Sequence, residues 1–183
     1  MTHPRPPILP GDGGARAPVE RFIRVDHAGE YGAVRIYAGQ LAVLGRRGGG
    51  EAIRHMAEQE RRHLATFEKL MTERRVRPTL LAPLWHIAGF ALGAGSALLG
   101  EKGAMAATAA VEDVIDEHYA RQAEALGDDE AALREVIQEA RAEEIEHRDT
   151  ALEYGAAEAP GQALIGGLIR RGTRLAIWLS ERV

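Results

Sequence analysis

Two copies of one short spacing, each with its own upstream glutamate, restrict what this chain can fold into. Glu60 and His63 lie three residues apart in AEQERRHLATF, and Glu144 and His147 repeat the spacing in AEEIEHRDTALEY. On a helix, positions i and i+3 project from one face about a turn apart. A carboxylate and an imidazole so placed can hold one metal ion together. A single Glu-x-x-His is weak, because chance supplies such pairs. Here each pair has a companion: Glu30 in RVDHAGEYGAVRIYAGQ and Glu112 in AATAAVEDVIDEHYARQ. Aligned on those glutamates, Tyr37 falls on Tyr119, Ala38 on Ala120 and Gln40 on Gln122. Glu60 follows Glu30 by 30 positions, and Glu144 follows Glu112 by 32. The chain reads as a duplicated helical hairpin, each half supplying one lone Glu and one Glu-x-x-His.

That donor set is the one ferritin-like di-iron carboxylate bundles use: a glutamate from each of two helices and a Glu-x-x-His from each of the other two. The expected fold is all-α, an internally duplicated ferritin-like four-helix bundle with two additional apolar or amphipathic helices. The expected metal ligands are Glu30, Glu60, His63, Glu112, Glu144 and His147. Four carboxylates and two imidazoles suit two divalent ions of intermediate hardness, iron or manganese. Four negative charges balance two such ions, so the centre can be buried near neutrality. Six protein ligands leave coordination positions open for O2. With no cysteine in the chain, thiolate sites, iron–sulfur clusters and disulfides are excluded.

The 183 residues fit one domain with a proper core, and the net charge of −4 argues against nucleic acid as the main partner. Residues 1–17, rich in Pro and Gly, read as a flexible tail ahead of a domain over 18–183. The start lacks a basic segment followed by an apolar run, which points to a cytoplasmic origin. Helices are expected over 18–44, 51–75, 80–100, 101–126, 130–154 and 160–180, with RRGGG at 46–50 ending the first. Asp26, Glu30, Ala33 and Tyr37 share one face of the first helix. Met56, Gln59, Glu60, His63 and Phe67 mark the inner face of the second, with His55 at the surface. Ala140, Glu144, His147 and Ala151 form the inward row of the fifth.

Residues 80–100, LLAPLWHIAGFALGAGSALLG, carry no formal charge. Three readings fit: a membrane span, a helix covered by protein or a homo-oligomer interface, or a helix lying in a membrane surface and lining an entry for a greasy substrate. The last helix sets Leu164, Leu168, Leu175, Trp178 and Leu179 against Arg170, Arg171 and Arg174. That pattern suits a membrane surface and equally an ordinary bundle helix with a solvated basic side. Metal-bound imidazoles need a partner for the other ring nitrogen. Asp26, Asp116 and Asp149 are candidates, each equally readable as a salt-bridge residue. Tyr37 and Tyr119 stand two turns from the lone glutamates and can hydrogen-bond ligands, although Tyr37 also reads as an ordinary core tyrosine.

With these residues in view, the sequence resembles the Coq7 family, the 5-demethoxyubiquinone hydroxylases of ubiquinone biosynthesis. The resemblance rests on RVDHAGEYGAVRIYAGQ (24–40), EQERRHLATFEKLM (58–71), LGEKGAMAATAAVEDVIDEHYARQ (99–122) and EEIEHRDTALEYGA (143–156). It covers nearly everything after residue 20. The family's ligand positions fall on the same six residues, and the resemblance implies a role for His118 and Tyr119 in coupling electron delivery to the centre. The implied enzyme is a di-iron monooxygenase acting on the ring of a polyprenyl demethoxyquinol, with O2, two electrons and NADH as reductant, directly or through the quinone. It implies a peripheral protein on the cytoplasmic face of the cell membrane, working beside other ubiquinone-biosynthesis proteins. No dinucleotide fingerprint is present. The rivals are a quinol oxidase that reduces O2 to water, a ferritin-like metal-binding protein and a metal-free helical scaffold.

Overall fold

The computed structural model describes residues 17–45 and 50–183. The expected tail, but for Ala17, and positions 46–49 of the RRGGG turn lie outside the described residues. Among the described residues six α-helices form: α1 (Ala17–Leu44), α2 (Glu51–Arg74), α3 (Ala82–Leu98), α4 (Glu101–Ala125), α5 (Ala131–Glu153) and α6 (Gln162–Ser180). Every boundary falls within two residues of the sequence expectation.

α1 packs against α2 and α3, and α4 against α5 and α6. Each half is therefore a hairpin with a third helix laid on its first, and the repeat extends further than the sequence alone suggests. α1, α2, α4 and α5 make the bundle, while α3 and α6 flank it. Two apolar clusters close the ends of the bundle. One gathers Tyr37, Leu44, Ile53, Met56 and Met105, and the other Ile23, Phe67, Tyr119, Leu133 and Ile137. The polar centre lies between them.

α3 sits on α1 through glycines. A Cβ at Gly93 would strike the Ile36 carbonyl, one at Gly39 the Phe90 carbonyl, and one at Gly89 the Gly32 carbonyl. The small face of α3, Gly89, Gly93, Ser96 and Ala97, is buried. Its other face leaves Leu84, Ile87 and Leu98 exposed. The uncharged stretch is thus covered on one side only, and no helix among the described residues is long and apolar enough to cross a membrane.

α6 departs from an ordinary bundle helix. Leu164, Leu168, Leu175 and Trp178 point outward, half or more exposed. Arg170 and Arg174 instead fold back on α4, reaching Asp113 at 3.3 Å and Glu117 at 3.1 Å. Because α4 supplies those acids, Arg170 and Arg174 turn to the protein, while Arg171 and the leucines are left outside. Trp85 Nε1 donates to Ser180 Oγ across 3.1 Å, tying the start of α3 to the end of α6.

Candidate metal centre

All six expected ligands are buried at the middle of the bundle: Glu30, Glu60, His63, Glu112, Glu144 and His147 are at most 9% exposed. They form two adjoining groups, Glu30–Glu60–His63–Glu144 and Glu60–Glu112–Glu144–His147, with donor atoms within 4.8 Å of one another in each. Glu60 and Glu144 belong to both. The sequence leaves open which glutamates can bridge, and the geometry singles out the two from the Glu-x-x-His pairs. Each group has the size and donor chemistry to hold a cation.

The two halves meet with approximate twofold symmetry. Tyr37 Oη donates to Glu112 Oε1 at 3.1 Å, and Tyr119 Oη donates to Glu30 Oε1, so each half's tyrosine serves the other half's lone glutamate. Burial first, then the carboxylates around them, push both phenols well above their ordinary value, so they stay protonated donors at neutral pH. Tyr37 is thereby more than a packing residue. The glutamines repeat the pattern. Gln122 Nε2 donates to Asp26 Oδ1 at 2.7 Å, and Gln40 Nε2 to Thr108 Oγ1 at 3.2 Å, Thr108 being the repeat equivalent of Asp26.

Of the proposed imidazole partners, none touches His63 or His147. Asp149 is exposed and pairs with Arg148 at 3.1 Å. Asp116 is held by Arg141 at 2.6 Å and Arg148 at 3.4 Å, a structural ion pair. Asp26 is buried but lies 3.4 Å from His118 Nε2. The outer nitrogens instead meet the residue preceding the glutamate of the opposite pair. His147 Nε2 donates to Gln59 Oε1 at 3.2 Å, and His63 Nε2 lies 3.3 Å from Glu143 Oε2. Glu143 escaped sequence reasoning entirely. His118 and Tyr119, which the resemblance singles out, are both buried, and Tyr119 bonds Glu30, whereas His118 accepts from Gln122 Nε2 at 2.8 Å.

Four carboxylates packed this way repel one another and are starved of water. Burial, then repulsion from Glu144, Glu30 and Glu112, raises Glu60 well above the carboxylate range; burial and Glu144 do the same for Glu112. Burial would also raise Glu144, but hydrogen bonds from His147 and His63 hold it down at about 2. His63 is the counterpart: burial opposes its charge, yet Glu144 and Glu30 lift it to about 10. Without cations the centre is thus a proton store, and it remains poorly satisfied. Both Glu60 oxygens and Glu30 Oε2 are buried without a hydrogen-bond partner. Orphaned acceptors converging on one space fit divalent cations, which would replace the protons.

A prediction follows from the sign of these shifts. His63, lifted to about 10, is protonated at pH 7, and the raised Glu60 and Glu112 hold protons to higher pH than ordinary glutamates, so metal binding displaces protons. Affinity for Mn(II) is expected to rise with pH, about tenfold per pH unit for each proton displaced. Titration calorimetry in two buffers of different ionisation enthalpy checks it, and equal apparent enthalpies in both would contradict it.

A cavity of about 450 Å³ lies beside this centre, lined by α1, α3, α4 and α6. Its walls include Trp85, Leu92, Leu168 and Ile177, and it reaches Glu30, Glu60, Glu112 and Glu144. The size suits a small organic ligand.

A bundle with this carboxylate–histidine plan is a ferritin-like carboxylate protein. The chain belongs to the COQ7 family: the family model "Ubiquinone biosynthesis protein COQ7" matches residues 17–180. It is 60% identical over 176 residues to the 3-demethoxyubiquinol 3-hydroxylase of Rhodospirillum rubrum, covering 96% of this chain and 83% of that one. It is 52% identical to the human mitochondrial NADPH-dependent 3-demethoxyubiquinone 3-hydroxylase, covering 94% and 81% of the two chains. To the yeast mitochondrial 5-demethoxyubiquinone hydroxylase the identity is 41%, over 90% and 78%.

Proposed function

We propose that the protein hydroxylates the ring of a polyprenylated demethoxyquinol, using O2 and two electrons, in ubiquinone biosynthesis. One oxygen atom enters the ring and the other leaves as water. The names of its relatives support the substrate. The observation that carries the reading is the cavity that joins the buried carboxylates to the flank formed by the apolar helices α3 and α6. A pair of iron ions, one within Glu30–Glu60–His63–Glu144 and one within Glu60–Glu112–Glu144–His147, would supply the reduction of O2. The chain's own residues do the rest. Tyr37 and Tyr119 fix the lone glutamates, the apolar walls exclude water from the ring, and the buried carboxyls give up their protons as the metal loads. A reduced nicotinamide is the ultimate electron source, with His118 and Tyr119 on the path to the centre.

The test is product analysis. Purified protein loaded with Fe(II) and supplied with demethoxyquinol and 18O2 is expected to give a quinol heavier by one labelled oxygen. Labelled water with an unchanged ring would favour a quinol oxidase instead. In cells, a deletion strain should accumulate the demethoxy precursor, and this chain should clear it.

A polyprenyl tail does not leave lipid cheaply, so the outward leucines of α3 and α6 are read as the surface that rests on the cytoplasmic face of the cell membrane. Leu84→Ser with Ile87→Ser removes two side chains that are 50% and 68% exposed. Vesicle binding is expected to fall at least about tenfold, at about 2 kcal/mol per buried leucine, while folding is unaffected. Unchanged co-sedimentation with vesicles would rule out that face.

A further inference from the structure

The two imidazoles are placed alike on the inside and differently on the outside. His147 Nδ1 lies 3.1 Å from both Glu60 Oε1 and Glu144 Oε2. His63 Nδ1 lies 3.3 Å from Glu144 Oε1 and 3.5 Å from Glu30 Oε2. In both rings Nδ1 faces the carboxylates and Nε2 faces away. The outer partner is Gln59 for His147, at 3.2 Å, and Glu143 for His63, at 3.3 Å. Gln59 precedes Glu60 and Glu143 precedes Glu144. The duplication therefore puts them in equivalent places, with an amide in one and a carboxylate in the other.

Around the centre the rest of the symmetry holds. Both lone glutamates receive a tyrosine hydroxyl. The other departures, His118 where the first half has Ile36 and Asp26 where the second has Thr108, contact each other and Gln122 and neither imidazole. Gln59 is 5% exposed. The Glu143 side chain is 35% exposed, and Arg62 Nη2 stands 3.5 Å from its Oε2. That arginine is itself 58% exposed, so it anchors the carboxylate more than it neutralises it.

We infer that Glu143 and Gln59 are positioning residues that make the two metal positions unequal, with the His63 position the tighter. The inference rests on the reading that these groups hold two ions. A metal-bound imidazole donates its remaining N–H, and the acceptor sets how strongly the ring donates to the metal. A carboxylate accepts roughly twice as strongly as an amide. The ion on His63 then sits on the more basic ligand, and the ion on His147 on a weaker one sealed from solvent. The repeat has kept the ligands identical and varied only what stands behind them.

Anaerobic titration of the full chain with Co(II), followed by visible absorption and calorimetry, tests this. The wild-type chain is expected to fill in two distinguishable steps. Glu143→Gln, nearly isosteric and partly exposed, should weaken the first step by about tenfold and bring the two together. Gln59→Glu should strengthen the second. Circular dichroism melting checks that each variant folds, and the conclusion rests on Glu143→Gln, the milder change. Two-ion binding with the steps unmoved in Glu143→Gln overturns this inference and leaves the proposed function intact. A wild-type chain that binds no Co(II) overturns the two-ion reading and this inference with it.

Discussion

Replacing Glu144 by alanine is expected to abolish ring hydroxylation and to empty both metal positions together. Glu144 belongs to both ligand groups and lies within 3.3 Å of both imidazole Nδ1 atoms. Its loss removes a carboxylate common to both groups and the partner that keeps both rings aimed inward. Outer partners of metal ligands already cost about 10–100-fold, so removing a shared ligand should take turnover beyond 100-fold, to background. Glu112→Ala gives the contrast. Glu112 belongs to one group only, so about half the metal should remain. Helicity should survive in both variants, because alanine is the best helix former. Elemental analysis of anaerobically reconstituted protein, read beside product formation, distinguishes the two. Full activity or full metal in Glu144→Ala would remove that residue from the centre. His147→Ala should behave like Glu112→Ala in metal content and like Glu144→Ala in activity.

The six residues that come together were legible in the sequence because both halves carry the same Glu and Glu-x-x-His. Tyr37 and Tyr119 were legible as positions through the same alignment, but their partners were not. Each crosses to the opposite half, and helical spacing describes only neighbours on one helix. That is also why Asp149 was the wrong candidate. It lies two residues beyond His147, about 200° round the helix, and ends up exposed beside Arg148. Gln59 and Glu143 are the true partners, supplied from the facing Glu-x-x-His helix. The signal that could have found them is their matching place in the repeat, one before each Glu-x-x-His. The orientation of α6 was hidden for another reason. A two-faced helix shows its faces in sequence, but which side meets the protein depends on whether the neighbour offers acids, as α4 does with Asp113 and Glu117.

The second large effect should come from a residue that touches no ligand. Gly93→Val is expected to be among the most damaging single changes outside the metal centre. Any Cβ there would run into the Ile36 carbonyl, which belongs to the α1 backbone and cannot rotate away as a side chain could. α3 would have to lift from α1, and overpacking of this kind costs about 1–3 kcal/mol. For a chain of this length that is roughly 3–10 °C in Tm. The functional cost should exceed the stability cost. Trp85, Ala88, Gly89 and Leu92 of α3 form one wall of the cavity, while every candidate metal ligand sits on α1, α2, α4 or α5. Gly93→Val should therefore keep its metal, melt lower and bind the quinol weakly. Gly95, on the same helix, is exposed with nothing near its Cβ position. Gly95→Ala should instead gain about 0.5–1 kcal/mol from helix propensity, with substrate binding unchanged. Thermal melts, metal content and quinol binding on the two variants separate close helix contact from glycine content as the reason α3 is built this way. If Gly93→Val melts like Gly95→Ala, α3 does not depend on that contact, and the cavity wall must be held by the Trp85–Ser180 tie and the side chains around it.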